Sequence, residues 1–331
     1  MSATTDENAD KSAERSGTVV AFGGNALSTN PSEDGIEQQL QRASEAIDAL
    51  LPLFADRKHP VYLVHGNGPQ VGQELLRQDE ASRHLPAMPL EACVAGTQGW
   101  IGYILESSIR NALSKKGLNR DVITICSQVE VDASDEAFNY PSKPIGPFYT
   151  RYRARQLTRE RGWLLRKDSG RGYRMIVPSP TPKKIHGVAG AKLLSENGYI
   201  VIVGGGGGVP VTKTAFGEVQ GIEAVIDKDA TAELIGQTVG ASQFLLITGV
   251  SEVCVAFGTP EERALRDVSL SEMISLYEEG HFPAGSMGPK VSAAIRFLKN
   301  GGDTVIITSI PCIEAALIGN SGTRIHRDEV K

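Results

Sequence analysis

A repeated unit constrains the fold of this chain more than any other feature: a short apolar run passes into glycines and then into a helical pattern. Thr18 to Phe22 leads into Gly23-Gly24, and Val61 to Val64 leads into Gly66-Asn67-Gly68. The pattern after the first glycines predicts an amphipathic helix from about Glu37 to Leu53. A strand, a loop and a helix in this order form the basic unit of α/β folds.

Later segments repeat the unit. Further strands are predicted at Val122 to Cys126, Ile200 to Val203, Phe244 to Ile247 and Thr304 to Thr308. Further helices are predicted at about Gln98 to Lys115, Lys183 to Asn197, Lys228 to Thr238, Leu270 to Glu278 and Val291 to Lys299. Because continuous apolar strands alternate with helices, we expect a mainly parallel sheet covered on both faces. The 331 residues suffice for one large α/β domain or for two lobes that share a sheet.

Two segments depart from this plan. Residues 1–17 are polar and have no apolar period, so we expect a disordered N-terminal tail before a folded domain over residues 18–331. Residues 131–182 contain six prolines among charged and aromatic residues. Since proline is excluded from central strands, we expect this segment to project from the sheet as a small lid-like subdomain.

Composition excludes several classes of function. The net charge of −5 does not supply the basic surface that general nucleic-acid binding requires. The four cysteines form no CxxC pair, which argues against a zinc ribbon and favours reduced, mostly buried thiols of a cytosolic protein. No apolar run reaches the ~20 residues needed to cross a bilayer. We therefore expect a soluble protein in which any anion is bound at a local site.

Glycine-rich segments predict phosphate binding. Lys290 closes the segment Gly285 to Lys290 just before a predicted helix, where a phosphate is favoured by the helix dipole. The five glycines from Gly204 to Gly208 are entropically costly and indicate a ligand or a backbone segment close by. The chain has no GxxxxGK[ST] motif, and Val209-Pro210-Val211 interrupts the helix that a dinucleotide loop requires. These loops therefore indicate nucleotide chemistry outside the P-loop and dinucleotide-binding classes.

Several charged side chains are candidates for the same chemistry. Lys228 lies in the first turn of a predicted helix, so either a bound anion compensates its charge or it is solvated and Asp227 simply caps the helix. Lys143 is either held rigidly against a ligand by flanking prolines or is an ordinary solvated loop residue. Arg171 is either an ion-pair partner or a substrate contact. His65, at a strand end, is expected to hydrogen-bond backbone rather than act as a general base.

Assembled, these motifs closely resemble the carbamate kinases, a branch of the amino acid kinase family. The likeness extends from about Val19 to Ile325. It rests on ordered segments at Gly23 to Leu27, His65 to Gly72, Thr97 to Tyr103, Lys143 to Tyr149, Gly170 to Tyr173, Val177 to Pro180, Ala224 to Asp229 and Gly285 to Lys290. The resemblance implies an αβα sandwich with an open, mainly parallel sheet, a homodimer, and reversible phosphoryl transfer between carbamate and ATP.

The resemblance also implies roles for individual residues. The transferred phosphoryl group is expected to be surrounded by Lys143, Lys228 and Lys290, with Asp229 aligning the lysines. Carbamate and the phosphoryl group are expected to be held by backbone N–H groups of Gly23, Gly24, Gly66 and Gly68, with Asn25 and Asn67 as side-chain donors. The nucleotide is expected to contact Gly205, Gly206, Lys228, Thr248, Met287, Gly288 and Lys290. Mg²⁺ is expected to be held through the phosphates of ATP or ADP, with no protein ligand.

Some positions depart from the family pattern. Phe22 precedes the first glycine loop where relatives in the broader family carry a lysine, and Lys143 is expected to replace that charge. The tyrosine near Cys254 and the acid near Gly249 are also missing, which bears most on contacts to the adenine base. The glutamate expected near Gly187, after the Pro178-Ser179-Pro180 segment, is missing as well.

Three functions remain open at this stage. The first is a cytoplasmic carbamate kinase that makes ATP from carbamoyl phosphate in arginine or agmatine breakdown. The second is an amino acid kinase for another small acid. The third is a sensor that binds nucleotide or carbamoyl phosphate without turnover. Retention of the three lysines and Asp229 favours the first.

Overall fold

The computed structural model describes residues 16–23, 27, 35–168, 171–283 and 287–328. Several predictions lie outside these residues: most of the predicted tail, Gly24 and Asn25 in the first glycine loop, and Gly285-Ser286 in the last.

Two residues that the sequence places in the tail belong to the folded domain. The Ser16 N–H donates to the Gly240 carbonyl at 3.2 Å, and the Gly17 carbonyl accepts from the Gln243 N–H at 3.1 Å. Ser16 and Gly17 thus contact the folded domain, whereas the rest of the predicted tail lies outside the described residues.

Strands and helices are distributed along the whole of the described chain. The strands are β1 (Thr18–Phe22), β2 (Val61–His65), β3 (Val122–Thr124), β4 (Gln128–Glu130), β5 (Lys143–Tyr149), β6 (Leu165–Asp168), β7 (Gly172–Val177), β8 (Lys184–Ile185), β9 (Ile200–Ile202), β10 (Val209–Lys213), β11 (Val219–Gly221), β12 (Gln243–Thr248), β13 (Val253–Val255), β14 (Arg263–Leu265), β15 (Asp267–Ser269), β16 (Thr304–Ser309) and β17 (Thr323–His326). The helices are α1 (Ile36–Ala55), α2 (Gly68–Ala81), α3 (Leu90–Lys115), α4 (Arg151–Arg161), α5 (Val188–Glu196), α6 (Lys228–Val239), α7 (Leu270–Glu278), α8 (Gly288–Lys299) and α9 (Ile313–Leu317). Short 3₁₀ turns lie at Glu136–Phe138, Gly205–Gly207 and Ile310–Cys312.

The central sheet contains eight strands in the spatial order β15-β17-β16-β12-β1-β2-β9-β3. All neighbours from β16 to β3 pair in parallel, whereas β17 is antiparallel to β16 and β15 is parallel to β17. The expected open, mainly parallel sheet is confirmed. β15 and β17, which run the other way, escape prediction because both are short and lack a continuous apolar run.

Alternate side chains of the central strands enter two cores, one on each face of the sheet. In β1, Val20 and Phe22 pack in the core that includes buried residues of α1 and α3. Val19 and Ala21 pack in the core that includes residues of α6 and α8. Successive side chains of a strand point to opposite faces, so this partition places helices on both sides of the sheet. The three-layer αβα sandwich is confirmed.

Two helix starts differ from the prediction. α3 begins at Leu90, directly after Pro89, and not at Gln98. α5 begins at Val188 and not at Lys183, because Lys184–Ile185 pair with β4 as strand β8. Apolar periodicity is weak evidence for such boundaries, since a two-residue strand contains too few side chains to show a period.

The cysteines are less buried than predicted. Only Cys93 is buried, whereas Cys254 and Cys312 are half-buried and Cys126 is exposed. The four are free thiols. No helix in the described part of the chain has the length and apolar character to span a bilayer.

A separate three-stranded sheet, β5-β7-β6, lies in the segment that the sequence predicts to project. Helix α4 lies between β5 and β6 in the chain and connects these two strands. The segment also contacts another sheet, because the Val131 N–H donates to the carbonyl of Val211 in β10. A lid-like movement of β5, β6, β7 and α4 stays a prediction.

Two glycines join this small sheet to the central domain. A Cβ atom on Gly72 of α2 would lie 2.2 Å from the Gly146 Cα of β5, so no larger residue fits at this contact. Gly146 itself has a φ of +72°, a region that glycine populates without strain. Around the contact, Val71, Ile145 and Val177 share a small buried core. The close approach of α2 and β5 thereby positions the first residue of β5, which is a lysine.

We expect Gly72→Ala to lower the free energy of unfolding by about 1–3 kcal/mol, because the added methyl group meets backbone atoms that cannot rotate away. Chemical denaturation measures the change. Gly99→Ala is the matched control, since a Cβ on this exposed glycine of α3 meets nothing within 4 Å. Alanine in a helix interior stabilises by about 0.4–1 kcal/mol relative to glycine. Equal stability of the two variants would contradict the Gly72–Gly146 contact.

Candidate active site

The carboxyl ends of neighbouring parallel strands form one edge of the central sheet. β12, β1, β2 and β9 are adjacent and parallel, and they end at Thr248, Phe22, His65 and Ile202. Ligands of open α/β sheets bind beyond such an edge. Gly23 follows β1 directly, so its predicted place at this edge agrees with the topology.

A network of lysines and aspartates lies beyond this edge. Lys143 Nζ from β5 is 2.5 Å from Asp227 Oδ2, which immediately precedes α6. In the first turn of α6, Lys228 Nζ is 2.5 Å from Asp229 Oδ1. Lys290 Nζ from α8 is 3.2 Å from Asp229 Oδ2. The structure thus brings together the four residues predicted to surround and align the phosphoryl group, and it adds Asp227 to them.

Asp227 has two simultaneous contacts. Its Oδ1 atom caps α6 by accepting from the Asp229 N–H at 2.9 Å and from the Ala230 N–H at 3.4 Å. Its Oδ2 atom accepts from Lys143. The capping expected from the sequence is confirmed, but the alternative of a solvated Lys228 is wrong, because Lys228 is only 9% exposed. Lys143 is likewise paired rather than an ordinary solvated loop lysine.

The charges of the network shift one another's pKa values. Burial disfavours ionisation of Asp227, yet the positive charges of Lys143, Lys228 and Lys290 outweigh it and lower the pKa of Asp227 below its ordinary value of 3.8. Burial lowers the pKa of Lys228, although Asp229 partly opposes this. For Lys290 burial acts in the same sense, but Asp229 and Asp227 outweigh it and raise its pKa. At neutral pH the structure therefore holds Asp227 ionised and Lys290 protonated.

The glycine run after β9 packs tightly against the turn that follows β2. A Cβ on Gly205 would lie 2.3 Å from His65 Nε2, and one on Gly206 would lie 2.3 Å from Asn67 Nδ2. The close protein neighbours explain why larger residues are excluded here. Within the described residues, the N–H groups of Gly205 and Gly206 have no acceptor. Their predicted contact with the nucleotide stays a prediction.

The backbone N–H groups of two predicted site residues already donate to acceptors within the protein. The Gly66 N–H donates to the Phe22 carbonyl at 2.8 Å, extending the pairing of β1 and β2. The Gly288 N–H donates to the Pro283 carbonyl at 2.9 Å. The Gly66 contact contradicts the expectation of a free N–H group there, because a donor with a good internal acceptor gains little from a ligand. The predicted nucleotide contact of Gly288 stays a prediction. The Gly68 N–H, at the start of α2, has no acceptor in the described part of the chain.

Asn67 and His65 are both buried in the turn after β2. Asn67 Nδ2 donates to Thr97 Oγ1 at 2.9 Å, which fixes the orientation of the Asn67 amide. His65 Nδ1 lies 3.2 Å from the Gly66 carbonyl oxygen, as its expected backbone contact requires. Burial lowers the pKa of His65 to about 4. The imidazole is therefore neutral at physiological pH.

Other predicted contacts lie at the margins of the network. Met287 precedes α8 at its N-cap, one residue before Gly288, and Lys290 follows in the first turn. The Arg171 guanidinium lies over the Phe148 ring at 4.6 Å from the centroid, a cation–π contact that neither sequence alternative includes. No group of three His, Cys, Asp or Glu side chains in the described ranges is placed to hold a metal ion.

Sequence reasoning missed the pairing of Asp227 with Lys143 and the Gly72–Gly146 contact. Lys143 and Asp227 are 84 positions apart, so no local pattern relates them. The available signal was a capping aspartate directly before a lysine at the end of an apolar segment.

Comparison with known proteins gives a consistent result. The model of the amino acid kinase family matches residues 17–309. Carbamate kinase of Pyrococcus furiosus is 44% identical over 309 residues, which are 93% of this chain and 98% of the relative. Carbamate kinase-like protein YahI of Escherichia coli is 42% identical over 310 residues, again 93% of this chain and 98% of the relative.

Solved structures show the same similarity. Carbamate kinase from Giardia lamblia bound to citric acid has a TM-score of 0.89, with 37% identity over 95% of this chain and 99% of that one. The same enzyme bound to AMP-PNP has a TM-score of 0.85, with the same identity and coverage. An N-acetylglutamate synthase from Neisseria gonorrhoeae has a TM-score of 0.54 at 14% identity, which shows only a shared fold.

We expect Asp227→Asn to separate the charge of Asp227 from its capping role, because asparagine caps helices about as well as aspartate. Since the pKa of Asp227 is lower in the folded than in the unfolded chain, its charge stabilises the fold fully above about pH 5 and less as the pH falls. The parent and the variant should differ in unfolding free energy by a constant amount from about pH 5 to 7, and by less below about pH 4. Urea denaturation at stepped pH measures this difference. A difference that stays constant down to about pH 3 would contradict the depressed pKa.

Proposed function

The chain belongs to the carbamate kinase branch of the amino acid kinase family, and from this premise we propose that it transfers a phosphoryl group reversibly between ATP and carbamate. The observation that carries the proposal is the convergence of Lys143, Lys228 and Lys290 on two buried or half-buried carboxylates beyond the sheet edge. Transfer of a phosphoryl group between two anions requires fixed cations around the group, since catalysis here is mostly positioning and charge stabilisation.

The aspartates keep these cations in place before any substrate arrives. Asp229 pairs with Lys228 through one oxygen and with Lys290 through the other, so a single carboxylate sets the separation of the two ammonium groups. Asp227, the residue directly before α6, holds Lys143. Preorganised charges need no reorganisation during the reaction, which is the main source of their catalytic effect. We propose that the transferred phosphoryl group lies among the three lysines.

No general base is needed in this mechanism. Carbamate is already an anion, so its oxygen attacks the phosphorus without losing a proton. His65 agrees with this, because it is fully buried and its pKa of about 4 leaves it neutral. We propose that carbamate is held by the Gly68 N–H and the Asn67 amide, together with Gly23, Gly24 and Asn25 of the first glycine loop.

We propose that the nucleotide lies on the α8 side of the network, near Gly205, Gly206, Thr248 and Met287. Asp229 already accepts from a lysine on each of its oxygens, which supports a role in holding the lysines rather than a metal ion. Mg²⁺ would accordingly be bound through the nucleotide phosphates, where it neutralises charge.

The physiological role is also part of the proposal. Carbamoyl phosphate is a mixed anhydride with a high tendency to transfer its phosphoryl group, which favours ATP synthesis. We propose that the enzyme works in this direction as a cytoplasmic homodimer, on carbamoyl phosphate from arginine or agmatine breakdown. The resemblance to carbamate kinases supports these points.

One observation supports testing a small acid other than carbamate as the substrate. The Escherichia coli relative is named only as carbamate kinase-like, at an identity similar to that of the Pyrococcus furiosus enzyme. The chain also lacks the family tyrosine near Cys254 and the acid near Gly249. Selectivity among small acids therefore has to be measured together with activity.

The function is tested by ATP formation from ADP, Mg²⁺ and carbamoyl phosphate, with acetyl phosphate and glutamyl phosphate in parallel. We expect rapid ATP formation with carbamoyl phosphate and much slower formation with the other two. Preference for another acyl phosphate would identify a different amino acid kinase. Binding of ADP without ATP formation from any donor would identify a sensor.

We expect Lys290→Ala to reduce turnover by about 10²–10³-fold, because it removes one preorganised cation from the transition state. Steady-state kinetics measure the loss, and circular dichroism confirms that the variant is folded. Lys183→Ala is the control: Lys183 is paired with Asp132 in a surface salt bridge, with its side chain 57% exposed. Near-normal turnover of Lys290→Ala would exclude its role at the phosphoryl group.

A further inference from the structure

Gln70 has a side chain that the proposed reaction has not yet used. It lies in the first turn of α2 and is fully buried, at 0% exposure. Within the part of the chain that the structure describes, neither its Oε1 nor its Nε2 atom has a hydrogen-bond partner. Among the described residues, it is the side chain in which a donor atom and an acceptor atom are both buried and unpaired.

Such an arrangement destabilises the folded chain. Buried polar groups in proteins almost always have a partner, and an unpaired one loses its hydration without compensation. Gln98 shows the usual situation at similar burial, 1% exposure. Its Nε2 donates to the Ser127 carbonyl at 3.1 Å, and its Oε1 accepts from the Ser127 N–H at 2.9 Å. An exception such as Gln70 calls for a ligand that completes its hydrogen bonds.

Gln70 belongs to the helix that begins at the turn where we place carbamate. Helical side chains generally lean toward the N-terminus of their helix, and for Gln70 that end is the turn that contains Asn67 and Gly68. This turn is adjacent to β5: a Cβ on Gly68 would lie 3.7 Å from the Pro144 carbonyl oxygen. Pro144 directly follows Lys143, so Gln70 lies close to the side of the network where we place carbamate.

We propose that Gln70 recognises the carbamoyl group of the substrate, an inference that rests on the proposed function. A carboxamide presents one N–H donor and one carbonyl acceptor along a single edge. Carbamate and carbamoyl phosphate present the complementary edge, with an N–H beside a C–O acceptor. Gln70 Nε2 donates to the substrate oxygen, and Gln70 Oε1 accepts from the substrate N–H.

This pairing explains how the site distinguishes carbamoyl phosphate from acetyl phosphate. Acetyl phosphate has a methyl group in place of the amine and leaves Gln70 Oε1 buried and unpaired. A site built to hydrogen-bond a substrate N–H discriminates strongly against an analogue that lacks it. Gln70 is therefore a specificity residue, and Lys143, Lys228 and Lys290 serve any acyl phosphate.

The test is Gln70→Met, which keeps the length of the side chain and removes both polar atoms. We expect kcat/KM for carbamoyl phosphate to fall at least about tenfold, with little change for acetyl phosphate and for the KM of ADP. We also expect the melting temperature of the ligand-free variant to rise, because an unpaired buried amide has been removed. Gln98→Met is the matched control and should lower the melting temperature, since it leaves the Ser127 N–H and carbonyl unpaired.

The outcomes separate this inference from the proposed function. The role of Gln70 is overturned if Gln70→Met leaves the ratio of kcat/KM for carbamoyl phosphate to kcat/KM for acetyl phosphate unchanged. It is also overturned if the melting temperature falls as in Gln98→Met. In both cases the parent enzyme still makes ATP, so the proposed function stands. If the parent makes no ATP from carbamoyl phosphate, the proposed function fails and the inference falls with it. If Gln70→Met does not fold, Gln70→Asn is used, because it withdraws the amide by one methylene. An unchanged ratio of kcat/KM for carbamoyl phosphate to kcat/KM for acetyl phosphate in that variant also overturns the inference.

Discussion

The rest of the site depends on the pairing of two aspartates with three lysines. Like charges repel, so Lys143, Lys228 and Lys290 stay close together only because Asp227 and Asp229 lie between them. The low exposure of Asp229, at 2%, strengthens its attraction for its two lysines. The network joins the small β5-β7-β6 sheet, α6 and α8 through charge, and its lysines outnumber its aspartates in a chain with a net charge of −5.

Glycine has two different functions at this edge of the sheet. The sequence interprets the glycine-rich segments as phosphate loops. The structure adds a packing reason for several of them, since Gly205 and Gly206 lie against His65 and Asn67, and Gly72 lies against the β5 backbone. Close contact between segments lets charged side chains from distant parts of the chain meet within hydrogen-bond distance. The same contacts exclude larger residues, so packing and ligand binding place similar demands on these positions.

The site combines charges that stabilise one another with one buried polar group whose burial destabilises the fold. The lysines and aspartates form ion pairs with one another. The Gln70 amide, by contrast, has no hydrogen-bond partner in the described part of the chain. Buried groups without partners persist in proteins where function requires them, because selection acts on activity as well as on stability. In our proposal the cations perform the transfer and the unpaired amide selects the acceptor, so that catalysis and specificity belong to different residues.

The sequence by itself determined the α/β class, the positions of six strands of the central sheet and of most helices in the described chain, and four of the five charged residues of the network, through local periodicity and ordered motifs. These features depend on short stretches of chain. Only the tertiary structure decided that Lys143 pairs with Asp227, which is 84 positions away, and that the Gly66 and Gly288 N–H groups already have acceptors. It also showed that Gln70, unlike the similarly buried Gln98, has no hydrogen-bond partner among the described residues. The physical reason is that hydrogen bonding and burial depend on which distant segments become neighbours, and no local pattern encodes that.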